Sequence, residues 1–168
     1  PEAILEKNLI QQLTGLYYSY ASIHDEDGLL SNLKAQLEAF NQTAFSDKEF
    51  GAILNHLSKG NIFAKARTLR DRFQMDRDNG DSFYVRFFNS EEWSSNLFQV
   101  TNQVTVEGVY KNRYDVTVLI NGLPLVQIEL KRRGLELKEA FNQINRYQRH
   151  SFWTNSGLFQ YVQIFVIS

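Results

Sequence analysis

The 168-residue sequence contains no cysteine, only two prolines and a single methionine. Without cysteine there can be no disulfide, thiolate metal site or cysteine nucleophile, so any metal must be bound by oxygen or histidine. No apolar run approaches the roughly 20 residues that cross a bilayer, and residues 1–6 lack the basic and then apolar form of a secretory signal. We therefore expect a cytoplasmic protein with no membrane partner.

The chain also lacks an excess of either charge, since its net charge is −1. Binding to a polyanion such as DNA would therefore depend on local segregation of charge. Residues 131–149 show such segregation, with only Glu136 and Glu139 opposing six basic residues: Lys131, Arg132, Arg133, Lys138, Arg146 and Arg149. This run is either a nucleic-acid surface or an exposed face of a helix, and the sequence favours neither.

The composition is 43% hydrophobic and 14% aromatic, which is sufficient for one folded domain over residues 1–168. We expect an α/β fold, with a helical part at about 1–75 and a mixed sheet with a helix at about 83–168. The chain starts without methionine and stops within an apolar segment, so we expect it to be a piece of a longer protein. It contains no G-x-x-x-x-G-K-[ST] loop, and ATP is not expected to bind here.

Hydrophobic periodicity predicts the individual elements. A leucine stripe predicts a first helix ending near Gly15, and residues 29–58 contain two more helices with Ser46 or Asp47 as an N-cap. Residues 62–69 are ambiguous between helix and other structure. Strands are predicted at 83–88, 98–106 and 160–167, a hairpin at 114–131, and a helix at about 136–150 whose core stripe includes Phe141.

The hairpin carries the side chains that are best suited to catalysis or metal binding. Apolar and polar residues alternate on both of its runs, which predicts two half-buried strands. Glu129 and Lys131 are two residues apart, so they leave the same face of their strand, about 7 Å apart. Gln127 shares that polar face with them.

The turn between the runs determines which residues pair. A two-residue turn at Asn121-Gly122 would place Asp115 opposite Ile128, which mixes polar with apolar positions. A three-residue loop with a bulge shifts the pairing by one, so that Val116 meets Ile128 and Asp115 meets Glu129. The hydrophobic pattern favours this second register, with the Cβ atoms of the two acids about 4.5–5.5 Å apart.

Two carboxylates side by side repel each other, and a divalent cation between them would relieve that repulsion. Two carboxylates and an ammonium are the groups that a metal-dependent phosphodiesterase uses, which makes Asp115, Glu129 and Lys131 its candidate residues. The alternative is a solvated sheet face with a cross-strand ion pair, which spacing alone favours.

A longer match favours the metal site. The string from Asn112 to Lys131 carries the D…E-x-K spacing of PD-(D/E)-x-K nucleases, with Tyr114 in place of the proline, and resembles the nuclease domain of the R subunit (HsdR) of type I restriction-modification enzymes. The similarity continues through residues 139–147, where Gln143 and Tyr147 fit a Gln-x-x-x-Tyr element. It covers residues 96–168 well and the first half only in outline. The resemblance implies a restriction-endonuclease-like fold.

The resemblance also implies roles for individual residues. Mg²⁺ would be held by Asp115, Glu129 and the main-chain carbonyl of Leu130, with Lys131 as a further catalytic group. A glutamate on the first helix lies near the metal in many family members, which makes Glu6 a possible further ligand, although a surface glutamate is the more common situation. The expected DNA-contacting residues are Gln143, Tyr147, Arg132, Arg133 and Arg146.

The expected function is non-specific cleavage of double-stranded DNA within a complex that also contains methyltransferase and specificity subunits, with ATP used by translocase domains beyond this chain. Two alternatives stay open: a catalytically silent module that docks DNA or a subunit, and a recombination or repair nuclease of the same fold. His24, His56 and His150 share no metal-ligand spacing, and we expect structural or surface roles for them.

Overall fold

The computed structural model describes residues 2–107, 111–131 and 157–168, together with Lys138, Phe141, Asn142 and Asn145. Four α-helices occupy the first part of the described chain: α1 (Glu2–Gly15), α2 (Glu26–Asn41), α3 (Asp47–Ser58) and α4 (Ile62–Arg70). The predicted N-cap at Ser46 is confirmed, since its side chain accepts a hydrogen bond from the Glu49 N–H in a capping box. Asn61 caps α4 through the Ala64 N–H, which makes the ambiguous segment a helix.

The strands are β1 (Ser19–Tyr20), β2 (Phe73–Asp76), β3 (Ser82–Val85), β4 (Phe98–Glu107), β5 (Lys111–Ile120), β6 (Leu123–Glu129) and β7 (Ile164–Ile167). Five of them form a mixed sheet in the order β1-β4-β5-β6-β7, and β2 and β3 form a separate hairpin. The β1–β4 and β6–β7 pairs are parallel, and the central pairs are antiparallel. The predicted α/β class, a mixed sheet flanked by helices, is confirmed.

The β5–β6 hairpin has the predicted register, but it reaches that register by a different route. Val116 pairs with Ile128 and Val118 with Val126, as predicted. The turn is nevertheless the two-residue Asn121-Gly122 turn, with both residues at positive φ and Ile120 paired with Leu123. A β-bulge at Leu125 then supplies the shift of one residue that we assigned to the loop.

Glycine is needed in this turn because the turn packs against α2. A Cβ atom at Gly122 would lie 2.8 Å from the Leu33 Cα atom, and its φ of +85° also disfavours other residues. The Asn121 side chain fixes the other side of the turn, since its Nδ2 donates to the Phe87 carbonyl at 2.9 Å. The register is therefore determined by tertiary contacts as well as by the strand pattern.

The prediction that β5 and β6 are half-buried is wrong, because helices cover both faces of the sheet. One face packs against Leu9, Ile10 and Leu13 of α1. The other face belongs to the main core, which contains Leu33 of α2 and Ile53 of α3. Central strands covered on both sides bury their polar residues as well as their apolar ones.

Three smaller expectations also change. The final strand begins at Ile164, since Leu158–Tyr161 is a short 3-10 helix. Residues 86–88 lie outside β3. Phe141 is 59% exposed, so its assignment to a core stripe is wrong.

No helix within the described residues is long and apolar enough to cross a membrane.

A buried ion pair joins α3 to the β2–β3 turn. The Arg77 guanidinium donates to both carboxylate oxygens of Glu49 at 3.1 Å, and the main-chain N–H groups of Asp78 and Ser46 donate to the same carboxylate at 3.0 Å. Glu49 is only 4% exposed. The hydrogen bonds from Arg77, followed by those from the two N–H groups, lower the pKa of Glu49 to about 2.

This pair makes the fold sensitive to acid. Because the pKa of Glu49 is lower in the folded than in the unfolded chain, the pair stabilises the fold above about pH 4.5, and this contribution disappears as the pH falls towards 2. Glu49→Gln should cost about 3 kcal/mol at pH 7 by urea unfolding, and much less at pH 3. The matched control is Asp47→Asn, which removes the exposed Lys34–Asp47 pair and should cost under about 1 kcal/mol. Equal losses for Glu49→Gln at both pH values would contradict the assignment.

Candidate metal centre

Asp115 on β5 and Glu129 at the end of β6 lie at neighbouring positions on adjacent antiparallel strands. Continuing the register by one pair beyond Val116 and Ile128 places the two acids across from each other. The main-chain N–H of Leu130 donates to the Oδ2 atom of Asp115 at 2.9 Å, which ties the Asp115 carboxylate to the residue that follows Glu129. The pairing that the hydrophobic pattern predicts is therefore present.

The electrostatics of the pair are unfavourable in the absence of a cation. Glu129 is fully buried, and burial together with the nearby Asp115 charge raises the pKa of Glu129 well above its ordinary range. A hydrogen bond from Gln127 and the charge of Lys131 act in the opposite direction. Buried neighbouring carboxylates with a raised pKa are typical of functional sites, since such a pair is stabilised by a bound cation.

The groups around the pair suit a hard cation, which prefers oxygen ligands. A trans peptide points its C=O and N–H groups in opposite directions. The Lys131 N–H donates to the Ser168 carbonyl on the β7 side at 2.6 Å, so the Leu130 carbonyl points towards β5 and Asp115. Asp115, Glu129 and Leu130 therefore offer two carboxylates and one main-chain carbonyl, a donor set that fits Mg²⁺, which keeps several waters in its coordination shell.

The candidate centre contains only two acidic side chains. The described residues contain no group of three or more His, Asp or Glu side chains that could hold a metal ion. The candidate centre consists of two carboxylates and a main-chain oxygen, which is the ligand set that the resemblance implies. His56 is structural, because its ring stacks on Phe73 at 4.1 Å, and His24 lies beside the Ser22 hydroxyl at 3.2 Å.

A polar network lies behind Glu129, and sequence reasoning assigned no role to Thr117 or Gln127. The Thr117 hydroxyl donates to Gln127 Oε1 at 2.7 Å, and Gln127 Nε2 donates to Glu129 Oε1 at 3.1 Å. All three side chains are 0% exposed. The signal in the sequence was a polar residue two positions before Glu129 and another two positions after Asp115, which we interpreted as a solvent-facing pattern.

The backbone opposite Asp115 is also unusual. Gln103 of β4 has a φ of +57°, and it lies opposite Asp115 between the pairs Asn102–Val116 and Val104–Tyr114. The Glu6 carboxylate on α1 accepts hydrogen bonds from the side-chain amides of Asn102 and Gln103. These bonds hold Glu6 against β4, and its role as a metal ligand stays a prediction.

Several predicted site residues lie outside the described residues. They are the proposed DNA-contacting residues Gln143, Tyr147, Arg132, Arg133 and Arg146, together with His150. Lys138 is described and is exposed. The described residues therefore bring together Asp115, Glu129, the Leu130 main chain and Lys131, and the predicted DNA surface stays a prediction.

Known proteins are similar in sequence to this chain over its whole length. A family model described as "Type I restriction enzyme R protein N terminus" matches residues 1–168. The chain is 45% identical over 172 residues to the type I restriction enzyme SauCOLORF180P endonuclease subunit of Staphylococcus aureus, covering 99% of this chain and 18% of that protein. It is 39% identical to the type I restriction enzyme EcoprrI endonuclease subunit of Escherichia coli, covering 99% of this chain and 55% of that protein. The chain thus spans less than a fifth of the staphylococcal relative.

Proposed function

Because the chain belongs to the family of type I restriction enzyme R protein N termini, we propose that it is the Mg²⁺-dependent endonuclease domain of such a subunit. Its substrate is double-stranded DNA, which it cleaves without sequence specificity of its own. The target sequence is recognised elsewhere in a complex with methyltransferase and specificity subunits. ATP-driven translocation belongs to other domains of a longer subunit.

Each residue of the centre has a defined role in this proposal. Asp115, Glu129 and the Leu130 carbonyl would hold Mg²⁺, which would supply Lewis-acid polarisation of the scissile phosphate and a lower pKa for an attacking water. The Leu130 N–H orients the Asp115 carboxylate by its hydrogen bond at 2.9 Å. Lys131 places an ammonium next to Glu129, where it neutralises negative charge that develops on the phosphate during attack.

The observation that carries the proposal is the position of Asp115 across from Glu129, with the Leu130 peptide bonded to Asp115. A solvated ion pair, the alternative from spacing alone, does not account for a fully buried Glu129 whose pKa is raised. The test is nicking of supercoiled plasmid DNA with Mg²⁺ and with EDTA. It is performed with the assembled restriction complex, whose R subunit carries this domain. Cleavage that continues in EDTA would contradict the proposal, and absence of any cleavage would favour a silent docking module.

Gln143 and Tyr147 are proposed to position DNA next to the metal centre. Their separation of four residues places them on one flank of the predicted helix, within the same run of sequence that contains the basic residues Arg132, Arg133 and Arg146. Tyr147→Ala should reduce cleavage while Mn²⁺ affinity and melting temperature stay near wild type, because Tyr147 is not a proposed ligand. A loss of cleavage fully explained by a lower melting temperature would instead show a packing role.

A further inference from the structure

Thr117 and Gln127 are buried, and together they form a chain of hydrogen bonds that ends at the Glu129 carboxylate. The two residues pair directly across β5 and β6. The Thr117 hydroxyl donates to Gln127 Oε1 at 2.7 Å, which leaves the Nε2 group of the same amide facing Glu129 Oε1 at 3.1 Å. All three side chains are 0% exposed, so these contacts are made away from solvent.

We propose that Gln127, oriented by the Thr117 hydroxyl, is a positioning residue that fixes the Glu129 carboxylate for binding of a divalent cation. This inference rests on the proposed function, since it assigns a task to residues behind the proposed metal ligand. Hydrogen-bond partners of metal-binding carboxylates restrict the rotation of the ligand and are often as important as the ligand itself. Thr117 does not contact the ligand itself but holds the Gln127 amide through its hydroxyl.

The hydrogen-bond directions support a positioning role over simple filling of the core. A glutamine amide has one accepting and one donating end, and its orientation follows from its partners. If the amide were reversed, Oε1 would face the Glu129 carboxylate and two acceptors would meet. An ionised Glu129 carboxylate only accepts, so it favours the orientation that presents Nε2 to it, and the Thr117 hydroxyl then holds the other end of the amide by donating to Oε1. The other Nε2 hydrogen points towards the Ile128 carbonyl at 3.4 Å.

The test is calorimetric titration of the chain with Mn²⁺, together with a melting curve for each variant. Gln127→Leu should weaken Mn²⁺ binding by about 10- to 100-fold. Thr117→Val, which keeps the shape and removes the hydroxyl, should weaken it by a smaller factor, and Thr117→Ser should restore binding close to wild type. Thr117→Val also covers the case in which Gln127→Leu does not fold.

Gln99→Leu is the matched control. Gln99 is another buried sheet glutamine, and it exchanges two hydrogen bonds with Asn32, at 2.9 and 3.0 Å, away from Asp115 and Glu129. Its variant should lose stability without losing Mn²⁺ affinity. Wild-type affinity in folded Gln127→Leu and Thr117→Val, or an equal loss in Gln99→Leu, would overturn the positioning role alone. Failure of the wild-type chain to bind Mn²⁺ would overturn the proposed metal site, and this inference with it.

Discussion

Asp115→Asn and Glu129→Gln should each abolish DNA cleavage by the assembled restriction complex. Each substitution keeps the shape of the side chain and removes one of the two carboxylates that face each other across β5 and β6. Neutral amides are poor ligands for Mg²⁺ compared with carboxylates, so neither variant retains a complete site. The measurement is the rate of plasmid nicking at saturating Mg²⁺.

The fold should survive both substitutions. Glu129 is fully buried, so Glu129→Ala would leave a cavity, and glutamine is the better replacement. Removal of one charge from a repelling pair should leave the melting temperature of the metal-free chain unchanged or slightly higher. Normal cleavage by either folded variant would contradict the assignment of Asp115 and Glu129.

ATP hydrolysis provides an internal control for these variants. The chain contains no nucleotide-binding loop, so a full-length subunit with Asp115→Asn should still hydrolyse ATP on DNA. Loss of both activities in a folded variant would show that the nuclease centre and the translocase are coupled, in contrast to the independence that we propose.

Lys131→Ala should reduce cleavage by about 10²- to 10³-fold, the effect of removing one group that stabilises charge in a transition state. Metal binding should be retained or strengthened, because the Lys131 ammonium lies close enough to influence Glu129 and would also repel a cation there. Cleavage rate and Mn²⁺ affinity, measured together, therefore distinguish Lys131 from the two carboxylates.

Lys111→Ala is the matched control for Lys131→Ala. Lys111 belongs to the same strand as Asp115, but its side chain is 71% exposed and forms a surface pair with Glu107 at 3.7 Å. This variant should cleave at the wild-type rate. A normal rate in Lys131→Ala, or an equal loss in Lys111→Ala, would remove Lys131 from the proposed chemistry.

The pairing of Asp115 with Glu129 could be predicted from the sequence because only one register places Val116 with Ile128 and Val118 with Val126. Sequence reasoning missed the feature that produces this register. The Asn121-Gly122 turn follows its usual two-residue pattern, and the bulge lies inside β6 at Leu125, directly after Pro124, a residue type that is found in strands mainly at edges and bulges. The contact of Gly122 with Leu33 depends on tertiary structure.

The burial of the polar positions was the main feature that sequence reasoning missed. Thr117, Gln127 and Glu129 alternate with valine and isoleucine, and this alternation is typical of a strand with one solvated face. In the folded chain that face belongs to the side packed by α2 and α3, so the same residues form a buried network. Local periodicity identifies which residues share a face, but not what covers that face.

The central claim is that Asp115 and Glu129 bind one divalent cation between them. It is tested most directly by soaking crystals of the chain with Mn²⁺, which prefers similar oxygen ligands to Mg²⁺ and can be located by its anomalous scattering. We predict an anomalous peak within coordination distance of oxygen atoms from both carboxylates and of the Leu130 carbonyl. Absence of a peak there in fully soaked crystals, or a peak that contacts neither carboxylate, would contradict the proposed metal centre.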